Sequence, residues 1–166
     1  MPTGPAARIT DSVAHPLPGV LVPGPGALTV LIGMLPAWRG VLPAVAAALQ
    51  GPKQASDAVI QGLEAATKAA AGSPAAPAAI AAEQAGKAAA LAAMGGMITG
   101  SAAGADIHLC AVPLPIPPHG PGVVIDGSKT VIINFLPACR LGDTILEALG
   151  PPDKIVKGET TVIIGG

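Results

Sequence analysis

Aromatic side chains are almost missing from this chain: one Trp, one Phe and no Tyr in 166 residues. Base stacking needs aromatic platforms, so single-stranded nucleic acid is excluded as a partner. Charge is scarce as well, at 11% of residues, and it balances, nine Lys and Arg against ten Asp and Glu. There is no basic footprint for a phosphate backbone, and no nucleic-acid partner is expected. The first ten residues carry Arg8 but no apolar run, so a secretory signal peptide is not expected and a cytoplasmic location is. In that compartment a disulfide between the two Cys is the weaker use of sulfur. What the chain does have is 51% hydrophobic residues. A core made of Val, Ile, Leu and Ala without aromatics is thin, and thin small cores call for a staple such as a metal ion.

Repetition organises the sequence. "GALTVLIGMLPAWRG" spans Gly26–Gly40, "GSKTVIINFLPACRLG" spans Gly127–Gly142, and "GETTVIIGG" spans Gly158–Gly166. Each copy has Gly, two variable residues, Thr and an aliphatic β-branched run, and the first two continue into Leu-Pro-Ala-x-Arg. A shorter echo at Pro5–Arg8, followed by Asp11, matches Pro137–Arg140, followed by Asp143. The aliphatic runs suit a pleated sheet, and the flanking Gly and Pro residues punctuate them. Proline is excluded from central ladders, so the Pro-dense segments are expected at edges and turns. The expected unit is therefore mainly β, built of short strand repeats over residues 1–40 and 105–166.

Between the first two copies lies an Ala-rich stretch, residues 41–104. Alanine is the best helix former. Gln54–Gly72 reads as one helix, with Ser56 as N-cap and Gly72 as C-cap, and Ala78–Met94 as a second, ended by Gly95 and Gly96. Val41–Gln50 reads as a short helix of its own. Glu64–Lys68 and Glu83–Lys87 are i,i+4 pairs. The Ser73–Pro77 break makes the two helices a hairpin, separable from the β-unit. Residues 88–105 are uncharged, but they are mostly Ala, Gly, Ser and Thr, which insert poorly. A hairpin in water is the favoured reading over a membrane span.

Three of the five His and Cys residues cluster in "HLCAVPLPIPPHGPG", His108–Gly122. His108 and Cys110 are two apart, so on a strand they share a face. The prolines before His119 stiffen the loop. A register brings in His15: it lies four residues after Asp11, as Cys110 does after Asp106 and Glu147 after Asp143. Equivalent positions in a pseudo-symmetric fold converge on the axis. Three imidazoles and one thiolate supply the N/S donors that tetrahedral zinc takes. The alternatives are polar loop histidines with a Cys that packs as a small hydrophobe, or a Cys110–Cys139 disulfide. Cys139 fills the slot of Ala7 and Trp38 in the other copies, which marks it as a packing position.

The segments "PAAR" at Pro5–Arg8, "LPACRLGD", "PPHGPGVV", "GPPDKIVKG" and the terminal "TVIIGG" together resemble the PAAR-repeat family, small proteins at the tip of the bacterial type VI secretion spike. The resemblance covers residues 1–40 and 106–166, and the Ala-rich segment is an addition to the minimal pattern. It implies a cone-shaped β-fold with a zinc ion near the apex. Carried over by position, His15, His119 and the His108 and Cys110 segment give the expected ligand set His15, His108, Cys110 and His119. Glu147 departs from the pattern, since many relatives place Cys there, so Glu147 or Cys139 stands as the substitute for one member of the set. The base of such a cone caps a trimeric spike protein of the VgrG type, one copy per trimer. The resemblance further implies delivery out of the cell by the secretion system, with only transient membrane contact during puncture.

No catalytic role is expected. A zinc-dependent hydrolase, the alternative, needs an open coordination position and a nearby acid or base, and Glu147 is the single candidate by register. A Cys–His nucleophile is disfavoured because His108 and Cys110 are too close along an extended strand. The helical insertion is left as a contact for a cargo effector or chaperone, or as a widening of the cone.

Overall fold

The computed structural model describes residues 2–14, 19–110 and 118–166. In chain order the elements are β1 (Gly4–Ala6), β2 (Ser12–Val13), β3 (Gly19–Val20), β4 (Pro23–Gly24), β5 (Ala27–Ile32) and β6 (Leu35–Ala37), then α1 (Pro43–Ala70) and α2 (Ala76–Ser101). The chain returns to strands with β7 (Ile107–Cys110), β8 (Gly120–Val124), β9 (Ile132–Ile133), β10 (Leu136–Pro137), β11 (Thr144–Glu147), β12 (Asp153–Lys154) and β13 (Glu159–Ile164). This is a β-unit of short strands with a helical hairpin set into it.

The repeats of the sequence become three equivalent hairpins. β5 pairs with β6 with Ile32 opposite Leu35, and β9 pairs with β10 with Ile133 opposite Leu136. The third has no turn of its own: β13 pairs with β1, Ile164 opposite Gly4, so the two ends of the chain close it. Aliphatic residues alternate across these strands as a half-buried sheet requires. Ile32, Ile133 and Ile164 go inside with Ala6, Ala37 and Ala138.

Where the three units meet, the backbone forms a closed ring. Ala7 N–H donates to Cys139 O (2.9 Å), Trp38 N–H to Ala7 O (2.9 Å) and Cys139 N–H to Trp38 O (3.0 Å). Three equivalent donors and acceptors in a cycle define a pseudo-threefold axis and leave none of these buried groups unmet. Cys139 thus packs at the axis beside Trp38 and Ala7. Cys110 and Cys139 are not joined to each other, so the expected alternative of a disulfide between them does not form.

One residue beyond the ring in each copy, an arginine forks onto an aspartate. Arg8 N–H and Nη2 donate to Asp11 at 2.8 and 3.0 Å. Arg140 N–H and Nε donate to Asp143, both at 2.9 Å. Arg39 N–H and Nη2 do the same to Asp106, at 2.8 and 2.9 Å. In the Arg8–Asp11 and Arg140–Asp143 pairs two residues separate Arg from Asp. Between Arg39 and Asp106 the whole helical segment occupies that turn.

The five-stranded antiparallel sheet runs in the order β12-β11-β8-β7-β4. The inner ends of the hairpin lie on it: Ala46, Leu49, Met94 and Ile98 share a buried cluster with Val123, Leu146 and Ala148. α1 is one continuous helix from Pro43, not a short helix followed by another from Gln54, and Ser56 lies inside it. Gly51 and Pro52 do not break it, because Ala46, Leu49 and Lys53 form one buried stripe that tertiary packing holds across the weak point. Likewise α2 continues through Gly95 and Gly96 to Ser101, with Gly95 buried against Pro121. Gly72, at φ +76°, does end α1. Farther out, Lys87 bridges Glu83 on its own helix (2.6 Å) and Glu64 across the hairpin (2.7 Å). Gly86 lets the helices close up, since a Cβ there would collide with Leu63. No helix among the described residues is long and apolar enough to cross a membrane.

Candidate metal centre

Strand periodicity builds the centre. Residues two positions after each of the three aspartates, and four positions after Asp106 and Asp143, face the axis. The first layer is Val13, His108 and Ile145, all buried. His108 therefore occupies a slot that is aliphatic in the other two copies. The second layer holds Cys110 and Glu147. Cys110 and Glu147 are buried, and Glu147 is fully enclosed at 0% exposure. His15 lies outside the described residues. His119 enters from the segment leading into β8.

The ligand atoms of Cys110, His119 and Glu147 all lie within 4.8 Å of one another. Glu147 Oε2 stands 3.5 Å from His119 Nδ1, and Glu147 Oε1 stands 3.5 Å from His108 Nε2. Neither carboxylate oxygen accepts a hydrogen bond among the described residues. Oxygen and nitrogen donors about 2.1 Å from a tetrahedral zinc stand roughly 3.4 Å from each other. The spacing found here is too long for a good hydrogen bond and matches that ligand-to-ligand distance.

Glycine clears the space. Glu147 faces Gly122 across the β11–β8 ladder, and Cys110 faces Gly120 across β7–β8. A Cβ on Gly122 would stand 3.2 Å from Glu147 Oε1, and one on Gly150 would stand 3.0 Å from His119 Nε2. Gly120 and Gly150 also take positive φ, at +80° and +84°.

Burial pushes the Glu147 carboxyl up to about 8, the Asp153 charge adds to the rise and Lys53 opposes it. An enclosed acid so far from its ordinary range is costly unless a cation meets it. A thiol, an imidazole and a carboxyl are together a donor set that suits zinc. The residues present therefore fit the metal that the repeats imply. Cys139, by contrast, is held as a thiol: burial first, then the Asp143 and Asp106 charges, raise its pKa well above the ordinary value.

Of the four residues expected from sequence, the structure brings Cys110 and His119 together, sets His108 in the adjoining layer against Glu147, and leaves His15 outside what is described. The residue underrated by sequence is Glu147. The four-residue register after Asp143 was the signal that pointed to it.

No curated protein and no solved structure matches the chain. A family model described as the PAAR motif matches residues 116–166, the segment that carries His119, Glu147, the Arg140–Asp143 fork, the β9–β10 hairpin and β13. The ring of Ala7, Trp38 and Cys139 then shows that the two earlier copies close around the same axis. Residues 116–166 thus carry a PAAR motif, which is consistent with a PAAR-repeat protein that has an Ala-rich helical hairpin, α1 and α2, inserted ahead of the matched segment.

Proposed function

We propose that this protein is the zinc-bearing tip of a type VI secretion spike, seated one copy per trimer on a VgrG-type partner. The observation that carries the reading is the pseudo-threefold ring with its matched PAAR motif. A single chain with three equivalent edges meets a threefold end without breaking its symmetry. The hairpins present an apolar outer face for that contact: Met34 and Phe135 at their turns are 89% and 91% exposed, beside exposed Leu28, Leu31, Ile132 and Ile163. Large exposed apolar side chains grouped in this way mark an interaction surface.

At the other end of the axis, Cys110, His119 and Glu147, with His15 or His108 as the fourth, hold one zinc ion. Bound zinc supplies cross-linking: it ties strands of separate repeats to one point and replaces core that the chain lacks. Glu147 and Cys110 anchor it from two repeats, while His119 closes over it from the loop. A closed set of four protein ligands leaves no position for a reacting water, so the role is structural rather than that of a hydrolase. Residues 1–40 and 105–166 form the PAAR unit and residues 41–104 a hairpin added to it, a place for a cargo effector or chaperone to attach. The protein waits in the cytoplasm and leaves with the spike, touching a membrane only during puncture.

The test is a native mass measurement on this protein mixed with its spike trimer, with metal analysis of the same sample. Three spike chains, one tip and one zinc are expected. Three tips per trimer, or a tip without metal, would overturn the assignment.

A further inference from the structure

Glu147 ends β11 and His119 immediately precedes β8, and one turn lies against both. The turn, residues 148–150, follows Glu147 directly. Ala148 N–H donates to Pro121 O and Leu149 N–H to His119 O, each at 3.0 Å. Gly150 lies so near the imidazole that a Cβ there would stand 3.0 Å from His119 Nε2. The position of His119 relative to Glu147 therefore depends on where this turn sits.

The inserted hairpin holds the turn from outside. Lys53 of α1 donates its Nζ to Gly150 O at 2.8 Å, across 97 positions of sequence. Its ammonium is also paired with Asp57, one helical turn along. Lys53 is only 4% exposed. Burying a lysine is costly unless its donors are satisfied, and one of the acceptors it uses is the carbonyl beside His119. From α2, Leu91 closes on Gly120, where a Cβ would collide with it, and Gly95 lies against Pro121. The hairpin thus grips both backbone segments that flank the imidazole.

We propose that the inserted hairpin sets the geometry of the metal centre, with Lys53 as the positioning residue that fixes the 148–150 turn against His119. This rests on the zinc reading above. Metal ligands need orientation to within about half an ångström, and losing an outer partner of a ligand typically weakens metal binding about 10–100-fold. A lysine that merely docked the helices would change stability and leave affinity untouched.

The experiment uses the full chain and three variants, Lys53→Met, Leu91→Ala and Lys87→Met. Zinc affinity is read by competition with a chromophoric chelator, and site geometry by the visible spectrum of the cobalt(II)-loaded protein. Lys53→Met is expected to bind zinc about 10–100-fold more weakly and to shift the cobalt bands. Leu91→Ala is expected to change both in the same direction, and it decides the matter should Lys53→Met fail to fold. Lys87→Met breaks an ion cluster within the hairpin, so it is expected to lower the melting temperature with affinity and spectrum unchanged. Wild-type affinity and spectrum in Lys53→Met and Leu91→Ala would overturn the positioning role and leave the metal reading standing. Equal weakening in Lys87→Met would also overturn it, since general destabilisation would then be the cause. Failure of the wild-type protein to take up zinc or cobalt would overturn the metal reading itself, and this inference with it.

Discussion

Arg39 and Asp106 stand 67 positions apart, yet they make the fork that Arg8 and Asp11 make at a separation of three. The insertion has replaced a turn without disturbing the pair that closes it. Both members are largely buried, with side-chain exposures of 11% and 0%.

Asp106→Ala should therefore cost about 3–5 kcal/mol of stability, the usual effect of orphaning one partner of a buried ion pair. Asp106 also accepts from Gly26 N–H, which would be stranded too. Asp11→Ala should cost less, because Arg8 keeps Glu159 as a second partner. Urea denaturation reads both. A cost below about 1 kcal/mol for Asp106→Ala would mean that helix packing, not the fork, holds the insertion in place.

Cys110→Ser, His119→Ala and Glu147→Ala should each weaken zinc binding by more than about 100-fold, beyond the range for outer partners. His108→Ala should act mainly on stability, since His108 sits in the adjoining layer and faces Glu147 Oε1. Chelator competition checks this. A loss in His108→Ala as large as in Cys110→Ser would make His108 a direct ligand.

Cys139 provides a pH prediction. Burial raises its pKa in the folded state above the free-thiol value, so the folded protein resists losing that proton. Its contribution to stability is complete below the unfolded pKa of about 8.5. As pH rises further it is lost, at about 1.4 kcal/mol per pH unit, until the folded pKa is passed. Cys139→Ala should show a flatter decline of stability above that pH. Alkylation of native protein at pH 8 should leave Cys139 unmodified. Ready labelling there would show that the ring at the axis opens in solution.

Met34→Asp and Phe135→Asp, at two of the three hairpin turns, should each weaken spike binding at least about tenfold, a hot-spot effect. The exposed side chains of this face are mainly aliphatic. Debye screening acts on charges, so raising salt to molar levels should change the wild-type affinity little. A complex that dissolves at moderate salt would place the contact on a charged surface instead.

The three-copy architecture was legible because each hairpin writes the same local chemistry: a Gly-x-x-Thr opening, an aliphatic strand and, in two copies, Leu-Pro-Ala-x-Arg. The hairpin was legible from alanine content and the Ser73–Pro77 break. Its boundaries were not. Gly51–Pro52 and Gly95–Gly96 carry the local signals of helix ends, and those signals lost to packing of Leu49, Lys53, Met94 and Ile98 on the β-unit.

The candidate site divides in the same way. Sequence by itself determined the strand repeats, the inserted helices and the register that aligns His15, Cys110 and Glu147, because periodicity and spacing are properties of the chain. Only the tertiary structure decided that β1 completes the third hairpin, that Arg39 closes on Asp106, and that Glu147 stands 3.5 Å from two imidazoles with its oxygens accepting no hydrogen bond among the described residues. Along the chain, Glu147 reads as one acid in an aliphatic strand. Its distance from water and from His119 arises only when strands remote in sequence fold around one axis, and that enclosure makes it a fit partner for a cation.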